Sequence, residues 1–196
     1  KLSKISEGDD IDVPFQGTLR DYQEEVVKAY KKSDSGGLIT LGCGQGKTVI
    51  GLNIVSVMKK KALIIVHKEF LLNQWIERIQ QYLPSAHVGR IQGSVIDIEN
   101  KDIVIGMLQS LSMKDYADSV FSSFGLLLID EVHHIGSEVF SCSLFKIVTK
   151  YTLGLSATMD RKDGTTYVFK MFLGDILYRM TEKKQRYVQV RAIQYQ

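Results

Sequence analysis

Leu41-Gly42-Cys43-Gly44-Gln45-Gly46-Lys47-Thr48 stands between an apolar run at residues 38–41 and a longer apolar stretch at 49–58. Glycines let a loop turn tightly enough for its backbone N–H groups to point inward at phosphate oxygens, and the N-terminus of a following helix adds positive dipole. Lys47 has the reach for β and γ phosphates, and the Thr48 hydroxyl suits a magnesium ion. One departure from the strict pattern is present: glycine is wanted five places before Gly46, where the chain has Leu41, with Gly42 beside it. A glycine-rich turn that caps a helix is the bland alternative. Cys43 is expected to be a small filler rather than a redox group.

Outward from this loop, apolar runs rich in Val, Ile and Leu recur at 38–41, 62–66, 88–91, 103–105, 126–129 and 152–155. Runs that do not alternate mark strands buried on both faces, as in a parallel sheet. Between them Leu71, Trp75, Ile79 and Tyr82 keep helical spacing, as do Tyr22, Val26, Ala29 and Tyr30 earlier, and 49–58 is apolar on nearly every side. Strand and helix in alternation predict an α/β doubly wound fold, a mainly parallel sheet with helices on both faces.

Composition agrees. The chain has 196 residues, 44% hydrophobic and 24% charged, enough to bury a core and unlike a disordered or fibrous sequence. No apolar run approaches the roughly 18 residues of a membrane helix, so no membrane partner is expected. Two cysteines, Cys43 and Cys142, make neither a disulfide framework nor a zinc site. They fit a reducing compartment, which points to an intracellular setting in nucleus or cytoplasm, or to a viral protein inside its host cell. The net charge of +3 is uneven: residues 179–196 carry five Lys and Arg against one Glu, which leaves the rest with one acid in excess. No basic stripe marks the body, so any reading of nucleic acid must rest on motifs. The basic tail is either a solvated linker or a contact to a phosphate backbone.

Two further segments carry chemistry. Leu126-Leu127-Leu128-Ile129-Asp130-Glu131-Val132-His133-His134 is an apolar strand ending in two acids and two histidines. Ligands of open α/β sheets bind beyond the carboxyl ends of the strands, which puts Asp130 and Glu131 at the same rim as the glycine loop. One carboxylate then holds hydrated magnesium while the other polarises a water in line with the γ phosphate; a solvated loop or helix start would account for the pair without chemistry. The histidine pair also has a metal-ligand reading. The second segment runs from Leu153 to Gly164 and contains Ser156-Ala157-Thr158. Alone it reads equally well as a turn or a cap.

Taken in order, the glycine loop, Asp130-Glu131-Val132-His133 (a DEVH box) and Ser156-Ala157-Thr158 resemble the first RecA-like domain of a superfamily-two helicase or translocase. Residues 154–164, with Leu19-Arg20-Asp21-Tyr22-Gln23 upstream, are similar to the branch that holds the xeroderma pigmentosum group B, type III restriction and poxvirus-type transcript-release helicases. The resemblance covers about residues 15–180. It implies an ATPase with ATP and Mg2+ as cofactors: Arg20 and Gln23 for adenine, Gly42, Cys43, Gly44, Gln45, Gly46, Lys47 and Thr48 for the phosphates, and Thr48 and Asp130 on the magnesium side. It makes Glu131 the general base, and gives His133, Ser156, Ala157 and Thr158 the coupling of nucleotide state to strand movement. Family members touch nucleic acid with segments that here are His67-Lys68 and Gln109-Ser110, although His67 reads equally as a strand-end histidine; Gln74-Trp75 reads as helix packing before base stacking.

The expected organisation is an N-terminal lead-in at 1–17, a RecA-like ATP-binding domain at 18–180, and a linker or strand at 181–196 leading to a second RecA-like domain with an arginine finger. Lys1 in place of a methionine fits a fragment, as it would a processed chain. Nucleic acid is the expected partner, DNA before RNA, since the nearest branch acts mostly on duplex DNA. A P-loop phosphotransferase on a small molecule and a non-catalytic, ATP-gated interaction module are the competing functions; scarce arginine between Lys47 and Asp130 weighs against the first, and Glu131 against the second.

Overall fold

The computed structural model describes residues 5–136, 138–139, 144, 146–158 and 165–180. Cys142, residues 159–164, the expected strand at 187–193 and all of the tail beyond 180 lie outside them. In chain order the elements are α1 (Asp21–Lys32), β1 (Gly36–Thr40), α2 (Lys47–Met58), β2 (Ala62–Val66), α3 (Glu69–Tyr82), β3 (Val88–Gln92), β4 (Val95–Asp97), β5 (Ile103–Met107), α4 (Leu108–Met113), β6 (Leu126–Ile129), β7 (Tyr151–Ser156), α5 (Thr165–Leu173) and β8 (Ile176–Arg179). Short 3-10 turns stand at Asp118–Val120 and Val132–His134.

All eight strands join one sheet in the order β4-β3-β5-β2-β6-β7-β1-β8. Every pairing is parallel except the β3–β4 hairpin. Each of the six apolar runs is a strand. β1, β2, β5 and β6 are buried at every residue, as continuous apolar sequence requires. The Val88–Gln92 strand departs from this: Gly89 and Ile91 are buried but Arg90 is exposed. Among the described residues only the fully exposed β4 covers its outer edge.

Alternate side chains along each strand serve opposite faces. Ile39, Ile64, Ile105, Leu128 and Leu155 pack under α1, α2 and α3, against Val26, Tyr30, Ile50, Ile54, Trp75 and Ile79. Their neighbours Leu38, Leu63, Val104, Leu127 and Ile129 pack on the other face with Leu111 of α4, Phe124, and Phe169 and Leu173 of α5. The lead-in also belongs to this packing: Ile11 and Val13 are buried in the first core, and the Ile11 N–H donates to the Lys59 carbonyl at 3.0 Å.

The strand order decides where chemistry can gather. Read across the rim of carboxyl ends, β5, β2, β6, β7 and β1 are neighbours, spaced about 4.8 Å apart. They deliver Gln109, His67, Asp130-Glu131, Ser156 and the glycine loop side by side.

Candidate functional site

Gly44 and Gly46 have φ of 75° and 74°, the left-handed region that glycine alone enters without strain. Gly46 is also the N-cap of α2, and a Cβ on it would stand 2.4 Å from Gln23 Nε2. At Gly44 nothing lies within 4 Å of where a Cβ would be, so the loop opens outward there. Cys43 is exposed and lines the cavity below.

α1 holds the loop from behind. The phenol of Tyr22 donates to the Gln45 carbonyl at 2.8 Å, and Gln23 Nε2 reaches the same oxygen at 3.4 Å. The other end of the buried Gln23 amide accepts the Arg20 backbone N–H at 2.9 Å. Both atoms of Gln23 are thus engaged within the protein, and Arg20 enters through its backbone.

Lys47, buried in the first turn of α2, donates from Nζ to the Leu41 carbonyl at 3.2 Å and lies 3.3 Å from Glu131 Oε1. It reaches over β7, the strand between β1 and β6, to do so. Glu131 has φ 50° and ψ 50°, a left-handed conformation costly to a side-chain-bearing residue and concentrated at functional sites. Its Oε2 is buried with no hydrogen-bond partner among the described residues, although His133 Nδ1 is 3.2 Å away. Asp130, 6% exposed, accepts the indole N–H of Trp75, 1% exposed, at Oδ2 over 2.9 Å. Burial holds the Asp130 carboxyl above the usual carboxylate range, and the Glu131 charge adds to this, while the Trp75 hydrogen bond and the Lys47 charge oppose it.

His133 Nδ1 lies 2.9 Å from the buried Ser156 Oγ, which donates its own hydrogen to the Thr158 carbonyl at 2.5 Å. With that hydrogen used, Ser156 accepts from His133, which places a proton on Nδ1. Burial lowers the His133 pKa, with the nearby charge of Glu131 opposing. The Leu41 N–H donates to the Ser156 carbonyl at 2.9 Å. Lys47, Glu131, His133, Ser156 and Leu41 therefore close a ring of contacts that ties the glycine loop to the ends of β6 and β7, with Ala157 and Thr158 directly beyond.

The segments expected to touch nucleic acid also meet. Gln109 Nε2 donates to the His67 carbonyl at 2.8 Å, and Ser110 Oγ accepts the Gly93 N–H at the β3–β4 turn at 2.8 Å. His67 stacks at a tilt on His134, with centroids 5.1 Å apart; its Nδ1 is buried without a hydrogen-bond partner among the described residues, and burial lowers its pKa. Lys68 Nζ lies 5.9 Å from the centre of the Phe70 ring, which is 62% exposed. Among the described residues no group of His, Cys, Asp and Glu is arranged as a three-ligand metal centre.

A cavity of about 350 Å³ connects Cys43, Gly44 and Gly46 of the loop and Lys47 to Val49 of α2 with Asp130, Glu131 and a stripe of α3, namely Leu71, Gln74, Arg78 and Tyr82. Sequence reasoning took Gln74 for helix packing and gave Arg78 no place in the site; their signal was their position one step before the core stripe of Trp75 and Ile79. It read Trp75 as helix packing before base stacking; no local pattern pairs it with a carboxylate 55 residues on. The open glycine loop, the Lys47 ammonium, and the hydroxyl and carboxylate donors suited to a hard cation together fit a magnesium nucleotide.

Residues 16–161 match the family described as "Type III restriction enzyme, res subunit" (ResIII). Among curated proteins the chain is similar to the "Putative ATP-dependent RNA helicase L396" of Acanthamoeba polyphaga mimivirus, at 36% identity over 94% of this chain and 36% of that one. It is also similar to the "DNA 3'-5' translocase XPB2" of Sulfurisphaera tokodaii, at 40% identity over 82% of this chain and 35% of that one. The chain thus spans little over a third of the length of these two relatives. Among solved structures the fold is similar to the UvsW helicase of bacteriophage T4, with a TM-score of 0.68, 21% identity, and coverage of 86% of this chain and 63% of that one. The SWI2/SNF2 ATPase core of Sulfolobus solfataricus in complex with dsDNA gives 0.69 at 18% identity, over 87% and 38%.

Proposed function

The chain belongs to the family of the type III restriction enzyme res subunit and is a superfamily-two, helicase-type ATPase domain, and from that premise we propose that it is the nucleotide half of an ATP-driven motor on duplex DNA. The single observation that carries the proposal is the Lys47–Glu131 pair across the rim, 3.3 Å apart, with the second Glu131 oxygen buried beside His133 Nδ1.

The loop amides from Gly42 to Gly46 cradle the phosphates, and Lys47 exchanges its contact with Glu131 for the β and γ phosphate oxygens. Release from Lys47 frees Glu131 to take a proton from the attacking water, whose oxygen bonds to the γ phosphorus as the bond to the β-phosphate oxygen breaks. Thr48 and Asp130 would hold magnesium, the ion that neutralises charge on the β and γ phosphates. Gln23, through its hold on Gln45, reads whether the loop has closed on adenine nucleotide. His133, between Glu131 and Ser156, passes the nucleotide state to the end of β7. The rim at His67, Lys68, Gln109 and Ser110 faces the nucleic-acid backbone, with exposed Phe70 beside it.

A second RecA-like domain completes the machine and supplies an arginine finger. Without one, phosphoryl transfer runs slower by roughly 10³ to 10⁵, so the 196-residue chain binds ATP and hydrolyses it feebly. Duplex DNA is favoured by the relative described as a DNA translocase and by the structural neighbour held on dsDNA, while the viral relative is described as an RNA helicase. The test is the steady-state ATPase rate of the longest parent chain alone, with double-stranded DNA and with RNA. Stimulation by DNA that Lys47→Ala abolishes is the expected result; stimulation by RNA alone overturns the choice of polymer, and a rate indifferent to both overturns the motor.

A further inference from the structure

Trp75 sits on α3, across the cavity from the glycine loop, and its one polar atom is spent on the carboxylate at the end of β6. The indole N–H reaches Asp130 Oδ2 at 2.9 Å, and both residues are almost wholly buried. A buried indole needs an acceptor, and a backbone carbonyl would serve; here the acceptor is a carboxylate, whose hydrogen bonds are short and orienting. The ring is itself fixed, because it packs so closely on α2 that a Cβ on Gly51 would come within 3.1 Å of its Cη2 atom. A donor that cannot move, bonded to one oxygen of a two-oxygen group, sets that group's rotation. It leaves Oδ1 outside that bond, on a side chain that lines the cavity together with Thr48 and whose carboxyl also accepts the Glu131 backbone N–H.

We propose that Trp75 is a positioning residue for the metal-side carboxylate: its indole N–H holds Asp130 Oδ2 so that Oδ1 faces the magnesium nucleotide. The inference rests on the reading of Asp130 given above. Partners of this outer kind are worth roughly 10- to 100-fold in metal affinity. The bond also joins α3, the helix capped by Lys68, to the nucleotide site through its middle turn.

The test compares the affinity of the intact protein for a fluorescent, non-hydrolysable ATP analogue in magnesium and in EDTA. Trp75→Phe keeps an aromatic in place and deletes the N–H. It is expected to cut the magnesium-dependent gain in affinity by about 10-fold and to leave the EDTA affinity unchanged. A second substitution guards against a packing artefact: 3-benzothienylalanine at position 75 has the indole shape with sulfur in place of N–H, and is expected to lose the gain equally. A full magnesium gain in the benzothienyl protein overturns the inference. Asp130→Asn is the control for the reading beneath it. If Asp130→Asn loses the gain while both Trp75 variants keep it, the positioning role alone falls; if Asp130→Asn keeps the gain, the assignment of Asp130 falls, and the role of Trp75 with it.

Discussion

Asp130 sets stability against chemistry. Burial raises its pKa, so the folded chain binds this proton more tightly than the unfolded chain, whose carboxyl titrates near 3.9. The stabilising contribution is present below that value and is lost as pH rises through the folded pKa; at neutral pH the ionised, buried group is a net cost to the fold. Asn at this position carries no charge and still offers the Trp75 indole an oxygen. Asp130→Asn is therefore expected to stabilise the ligand-free protein at pH 7 by about 0.5 to 2 kcal/mol, the usual gain when a site residue is relieved, and to do so less at pH 4. Thermal unfolding at the two pH values checks this, and a lower Tm at pH 7 would count against it. Glu131 shows a similar conflict, since its left-handed backbone is a strain that the fold alone gives no reason to keep.

At the scale of elements, the six apolar runs were legible because strands buried on both faces need uninterrupted Val, Ile and Leu, and α2 was legible because a helix packed over such a sheet is apolar nearly all round. β4 and β8 were not. β4 is exposed at all three residues, and β8, beside β1 at the other edge, is only partly buried, so neither carries the signal that marked the interior strands. The glycine loop was read from its own residues, but the support behind it was not: Tyr22 and Gln23 meet Gln45 across 22 or more residues. That support makes Gly46 sensitive. Gly46→Ala places a Cβ in a left-handed position, at a cost of roughly 1 to 2 kcal/mol, and drives it against Gln23 Nε2. The expected outcome is a destabilised protein that no longer binds a fluorescent ATP analogue, measured by chemical unfolding and by titration. Unchanged affinity would mean that the α1–loop contact is not what shapes the cradle.

Across the whole molecule, one fact of topology does most of the work. Placing β6 and β7 between β2 and β1 brings residues from positions 41, 67, 109, 131 and 156 to one rim, far apart in sequence and within a few strand widths in space. The motifs could be recognised singly and their common rim inferred; the closed ring of Lys47, Glu131, His133, Ser156 and Leu41 could not, because side-chain contacts among three strands have no sequence period. The ring makes the account testable at its centre. Single-turnover hydrolysis of ATP by the longest parent chain, compared between the unaltered protein and Glu131→Gln, measures whether this carboxylate is the base. The expected result is a rate lower by about 10² to 10⁴ with ATP affinity kept within a few-fold, and an unchanged rate in Glu131→Gln would contradict the account.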